Sequence, residues 1–220
     1  MPSAKIRFNG SQRSSPAEAN PRRESLIHHS AGHDPRKRVV IVGGSSGVGF
    51  AVAEAALAEG AEVIIASSNI KNVKTAADRL RNTASGAAMD VKDEESVAKF
   101  FGSLATFDHL IFTAGDWSPS IFSNPLAQMD FSETMGEGLK VRFWGSLMTI
   151  KHALSRLEAN GSITLTDGIL SHLARKGAPL TTAFGGATEY LVRGLAVDLV
   201  LSDTNNRIYA INKPWVASLR

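Results

Sequence analysis

Residues 39–49 read VVIVGGSSGVG. Four β-branched residues in succession, Val39 to Val42, fit a strand covered on both faces, as in a parallel sheet. The run then turns through glycines and passes straight into a helical stretch, 49–59. Gly43 allows the tight turn, Gly47 lets main chain approach a diphosphate, and Gly49 lets the helix pack close on the strand. Ser45, Ser46 and Val48 complete the loop, and the helix start offers N–H groups and the positive end of its dipole to an anion. The same glycines would also serve an ordinary strand–helix junction. A second strand, 61–66, completes the βαβ context that a dinucleotide site requires.

Outward from this point, strands and helices alternate. Strands are expected at 39–43, 61–66, 87–89, 109–114, 162–166 and 207–211, and helices at 49–59, 71–82, 93–104, 133–158 and 182–201. Strict alternation predicts a single α/β domain, a doubly wound parallel sheet of Rossmann type with helices on both faces and right-handed crossovers. Ligands of such sheets sit at the carboxyl ends of strands, where strand order reverses, so chemistry is sought just after each strand.

After the second strand stand Ser67, Ser68 and Asn69, then Lys71. No acid is present there to hold a ribose 2′-hydroxyl. Hydroxyls and an ammonium suit a 2′-phosphate, so NADP (as NADPH) is preferred over NAD. These residues also read as the turn and N-cap of the next helix. Asp90 and Val91 follow the third strand, where a carboxylate would meet an adenine amino group. Thr113, Ala114, Gly115 and Asp116 follow the fourth as a small-residue turn that a cofactor can pass closely. A cap or turn role is the alternative for both.

At 220 residues the chain has room for one α/β domain with a sizeable core. It has no cysteine, which removes disulfides, thiol nucleophiles and cysteine–metal sites, and no metal site is expected. No apolar run reaches the length of a membrane span. Residues 1–38 hold eight Lys/Arg against three acids, and 39–220 hold sixteen against eighteen. The basic character therefore belongs to the N-terminal stretch. Residues 1–37, polar and rich in serine and proline, read as a disordered extension ahead of the dinucleotide-binding domain at 38–220. A slightly acidic folded part argues against nucleic acid as a partner, and a cytoplasmic location is expected.

GGSSGVG at 43–49, Asp90-Val91, TAG at 113–115 and GATEYLVRGLAVDL at 186–199 together resemble a short-chain dehydrogenase/reductase. The resemblance runs from Arg38 to about Ile211. It implies a single Rossmann domain that moves hydride between NAD(P)H and a carbonyl or alcohol of a small-molecule substrate. It also implies a homo-oligomer built through the two long helices at 133–158 and 182–201. The SSN after the second strand is similar to fungal and bacterial enzymes of specialised, polyketide-like metabolism.

The family's acid–base residues are replaced. Alignment on GLAVDL puts Thr181 at the family tyrosine, Gly185 at the lysine four residues later, Gly168 at the serine and Arg142 at the helical asparagine. Threonine is too weak an acid for the tyrosine's work, and glycine has no side chain. Neither tyrosine of the chain rescues the motif: Tyr190 is expected on the apolar face of its helix and Tyr209 in the core. The charged groups left near the substrate position are Asp167 and Arg142. Family members that lack the tyrosine, reductases or cyclisation catalysts of fungal alkaloid pathways, use an aspartate after the fifth strand. By that resemblance Asp167 is a proton donor or electrostatic anchor, and Arg142 polarises a carbonyl or binds an acidic group. An Asp-Gly turn and an exposed helical arginine are the plainer readings. His172 and Lys176 are weaker candidates on the following loop.

Where the family continues into a substrate lid, this chain reads RIYAINKPWVASLR to Arg220, so much of a lid is expected to be missing. An NADP-dependent reductase with a rebuilt proton-donor site is the first reading. A cofactor-binding protein without turnover (a sensor or subunit) and a cyclase that uses the pocket as a template are the alternatives.

Overall fold

A computed structural model describes residues 37–115, 125–131, 139–200 and 205–213. The elements are β1 (Arg38–Val42), α1 (Gly47–Ala58), β2 (Glu62–Ser67), α2 (Ile70–Arg79), β3 (Ala84–Ala88), α3 (Glu94–Ser103) and β4 (Phe107–Phe112). After these come a π-helical turn (Lys140–Gly145), α4 (Ser146–Ala153), β5 (Leu157–Gly168), a 3-10 turn (Ile169–Ser171), α5 (Pro179–Val200) and β6 (Arg207–Lys213). The six strands form one parallel sheet in the order β3-β2-β1-β4-β5-β6. Strand order therefore reverses between β1 and β4, and a crevice opens there at the carboxyl ends.

The Val39 to Val42 run is buried because alternate residues feed two separate cores. Val40 and Val42 join Leu110, Phe112, Ile163 and Leu165 under Phe100, Phe101 and Val192. Val39 and Ile41 join Val63 and Ile65 under Phe50, Ala53, Val73 and Ala76. β1 thus lies at the centre of a three-layer sandwich, and the turn that follows it opens on the crevice.

The expected helix at 133–158 is corrected. Residues 132–138 lie outside the described part, and the rest is a π-helical turn, α4 and a 3-10 turn that ends at Arg156. Leu157 is buried and already pairs with Phe107, so the chain has entered β5 where a helix was expected. Both tyrosine assignments are corrected too. Tyr190 is 69% exposed under the Arg193 guanidinium, because α5 buries the face carrying Gly185, Thr188, Val192 and Leu199. Tyr209 is 44% exposed, because Ile208 and Ala210 on either side take the face of β6 that α5 covers.

Among the described residues no helix is long and apolar enough to cross a membrane. No group of three or more His, Cys, Asp and Glu stands where it could hold a metal ion among those residues.

Candidate active site

A cavity of about 750 Å³ occupies the crevice. Its floor is the turn after β1. The Gly43 N–H donates to the Ala66 carbonyl at 2.8 Å, and the Thr113 Oγ1 and N–H both donate to the Val42 carbonyl, at 2.9 and 2.8 Å. These bonds draw the ends of β1, β2 and β4 together under the loop.

Two glycines of the loop do different work. A Cβ on Gly49 would lie within hard contact of the Gly43 carbonyl and the Thr113 hydroxyl, so this glycine serves the close packing of α1 on the turn. Gly47 has φ +54°, a left-handed conformation that side chains rarely adopt, yet a Cβ there would meet nothing within 4 Å. The left-handed backbone by itself favours a glycine at 47, and the open space above it leaves room for a ligand to approach.

The α1 N-terminus is also left open. Asn69 and Asp93 cap α2 and α3 through their side chains, at 2.8 and 3.0 Å, whereas Ser46 makes no side-chain cap on α1 and the first turn of α1 carries no acid. The unbonded amides of a first helical turn are an anion site of suitable size for a diphosphate.

Most of the residues singled out from sequence line this one cavity: Gly43, Ser45, Ser46, Gly47, Val48 and Gly49; Ser67 and Ser68; Asp90 and Val91; Ala114 and Gly115; and Arg142, Asp167 and Thr181. Asn69 and Lys71 do not. Helix α2 begins at Ile70, and the Asn69 Oδ1 is taken up by the Lys71 N–H as its cap. The wall on that side is made by Asn72 and Lys92 instead. Asp116 lies outside the described residues. His172 and Lys176 are exposed and do not line the cavity. Sequence reading also missed the apolar lining from Leu139, Phe143, Leu170 and Phe184.

Arg142 is not a freely exposed helical arginine. It projects from the π-helical turn, a distortion that often marks functional sites, and its guanidinium lies against Gly115. A Cβ at Gly115 would be 2.5 Å from the Arg142 Cζ.

Asp167 continues the inward-facing row of Ile163 and Leu165 on β5, so period-two geometry carries a carboxyl into an apolar layer. It is 8% exposed. Its Oδ1 accepts the Gly168 N–H at 2.7 Å, and its Oδ2 is buried with no hydrogen-bond partner among the described residues. Oδ2 also lies 2.7 Å from where a Cβ of Gly185 would begin. The bare backbone of Gly185 is what leaves room for this carboxyl.

Burial holds the Asp167 carboxyl above the usual aspartate range. The Gly168 N–H and the Arg142 charge oppose that shift, Glu189 adds to it and His172 opposes it. The folded chain therefore binds this proton more tightly than the unfolded chain does. The stability this confers is complete below the unfolded aspartate value and is lost as pH rises through the raised one. Asp167→Asn removes that loss. Denaturant unfolding at a series of pH values is expected to show the variant gaining on the wild type as pH climbs through this window, and parallel curves would contradict the assignment.

The geometry is that of a known family. A family model described as Enoyl-(Acyl carrier protein) reductase matches residues 42–219. The short-chain dehydrogenase/reductase malC of Malbranchea aurantiaca is 32% identical over 181 residues, 74% of this chain and 67% of that protein. The short-chain dehydrogenase/reductase ucsE of an Acremonium species is 34% identical over 184 residues, 74% and 68% of the two chains. This chain thus spans about two thirds of the length of these relatives. Among solved structures, the MalC reductase/Diels–Alderase of Malbranchea aurantiaca superposes with a TM-score of 0.69 at 28% identity, over 80% of this chain and 72% of that one. An NADPH-bound short chain oxidoreductase of Pseudomonas aeruginosa PAO1 with an atypical catalytic center shares the fold at a TM-score of 0.72 and 23% identity, over 80% and 70%. The parallel sheet, the glycine turn at its switch point and the match over 42–219 agree: the chain belongs to the short-chain dehydrogenase/reductase family.

Proposed function

We propose that this chain is an NADPH-dependent reductase of a carbonyl or imine-type intermediate in specialised metabolism, with Asp167 as its proton source. The observation that carries the reading is that the uncapped α1 N-terminus and the buried Asp167 carboxyl open on one cavity. The coenzyme fits the residues present. The Gly47 to Gly49 amides would hold its diphosphate, Ser67, Ser68, Asn72 and Lys92 its adenosine end, and Asp90 its adenine. Among the described residues the turn from β2 into α2 brings no carboxylate to the cavity, and this supports NADPH over NADH. Bound NADPH supplies the hydride. Arg142, backed by Gly115, places positive charge in the cavity for a substrate oxygen or acidic group. Asp167, whose carboxyl burial holds above the usual aspartate range, would supply the proton in place of the family tyrosine. Leu139, Phe143, Leu170 and Phe184 keep the reacting face dry.

Without a tyrosine–lysine pair, the chemistry is easiest for substrates that need little proton help, such as iminium ions, quinones and conjugated carbonyls. The purified chain is expected to oxidise NADPH on at least one member of a panel of cyclic imines, quinones and enones, with NADPH bound at least about tenfold (1.4 kcal/mol) more tightly than NADH. Binding of NADPH with no oxidation across the panel would favour a coenzyme-binding protein without turnover. The reductase/Diels–Alderase name of the MalC structure favours a second reading, a cavity that also templates cyclisation. Cyclisation of a diene substrate unaffected by Asp167→Ala would end that reading.

A further inference from the structure

Gly185 and Glu189 stand one turn apart on the same face of α5. The Asp167 carboxyl and Ser171 both meet the helix at Gly185, where a Cβ would lie 2.7 Å from the Asp167 Oδ2 and 2.7 Å from the Ser171 Cβ. One turn further on, a single oxygen, Oε1 of Glu189, accepts the Ser171 Oγ–H at 2.8 Å and pairs with the His172 Nε2 at 2.8 Å. The Ser171 hydroxyl also reaches the Gly168 carbonyl at 3.1 Å, so the 3-10 turn that walls the cavity is tied to β5 and to α5. Glu189 is 17% exposed, and its charge acts on Asp167.

Two carboxyl groups in a partly dry space do not both ionise without cost, and the better-solvated one keeps the charge. Here the two are unequal: Glu189 is met by two neighbours, whereas Asp167 has an Oδ2 with none among the described residues. We propose that Glu189, anchored by Ser171 and His172 beside the Gly185 pocket, is a positioning residue whose charge adds to the effect of burial in keeping Asp167 a proton donor of this site rather than a fixed negative charge. The proposal rests on the reductase reading for its catalytic meaning but not for its test. Among the described residues the charged groups that act on Asp167 are Arg142 from the π-helical turn, Glu189 from α5 and His172 after the 3-10 turn. Arg142 and His172 favour the carboxylate, and Glu189 favours the acid.

The test is a titration of the full chain carrying ¹³C-labelled aspartate side chains, without coenzyme or substrate, with the Asp167 signal assigned by its loss in Asp167→Asn. In Glu189→Gln, whose amide oxygen still accepts from Ser171, the Asp167 midpoint is expected to fall toward the ordinary aspartate value. In Glu189→Asp it is expected to stay raised. A midpoint in the folded Gln variant equal to that of the wild type would overturn the proposal and leave Glu189 a structural tie. Should the Gln variant not fold, Glu189→Ala is the second arm, in which the Asp167 midpoint is again expected to fall, and a midpoint equal to that of the wild type overturns the proposal. If the midpoints move as expected while NADPH is never oxidised, the carboxyl pair stands and the reductase reading falls.

Discussion

Asp167→Asn is expected to slow hydride transfer by about 10²–10⁴-fold, the usual range for loss of a general acid. NADPH affinity should stay close to that of the wild type. The amide oxygen still accepts the Gly168 N–H, and the buried pocket beside Gly185 still holds a side chain of the same size. What would be lost is the proposed donor, a carboxyl that burial makes hold its proton more tightly than an ordinary aspartate does. The effect should depend on the substrate: large for a neutral ketone, which must gain a proton as the hydride arrives, and smaller for a substrate that already carries its proton, such as an iminium ion. Single-turnover rates on both classes separate a proton donor from an electrostatic anchor. An anchor would weaken turnover most for the cationic substrate, because the carboxylate charge is what holds it.

The second large effect divides the loop glycines by role. Gly47→Trp is expected to weaken NADPH binding by about 10²-fold or more, about 2.7 kcal/mol or more, while the chain still folds. The Cβ would meet nothing within 4 Å and the indole would extend toward the proposed diphosphate position, at the cost of about 1–2 kcal/mol for a left-handed residue that is not glycine. Gly49→Ala is expected to act on the fold instead. Its methyl would press on the Gly43 carbonyl and the Thr113 hydroxyl, for a loss of about 1–3 kcal/mol of stability. Thermal melts beside fluorescence titrations of both variants check the division. A Gly47→Trp protein that binds NADPH as the wild type does would remove the diphosphate from this loop.

The fold could be read from the residues because the signals were local. A β-branched run, a glycine turn and an alanine-rich helix lie within twenty residues, and the strands that follow recur at the spacing of βαβ units. Most of the cavity lining was legible for the same reason, since in a doubly wound sheet the residue after each strand points to the crevice. What escaped depends on one-residue shifts and on long-range pairing. The sequence places Asn69 and Lys71 among the ligand residues, but the use of Asn69 as the cap of α2 turns them away and brings Asn72 to the wall. The π-helical turn adds a residue to the register that carries Arg142, and an ideal helical period cannot show it. The exposure of Tyr190 and Tyr209 follows from which face of α5 packs on β5 and β6, a tertiary choice. The fit of the Asp167 carboxyl over Gly185 joins residues eighteen apart, and in the sequence Gly185 reads only as a lost lysine.

The open first turn of α1 is the proposed seat of the coenzyme diphosphate. Amide hydrogen exchange across residues 44–50, measured with and without saturating NADPH, tests it most directly. Marked slowing at Gly47, Val48 and Gly49, with little change at the capped starts of α2 and α3, is the predicted result. Equal exchange in the two states, in a protein that is fully folded, would contradict it.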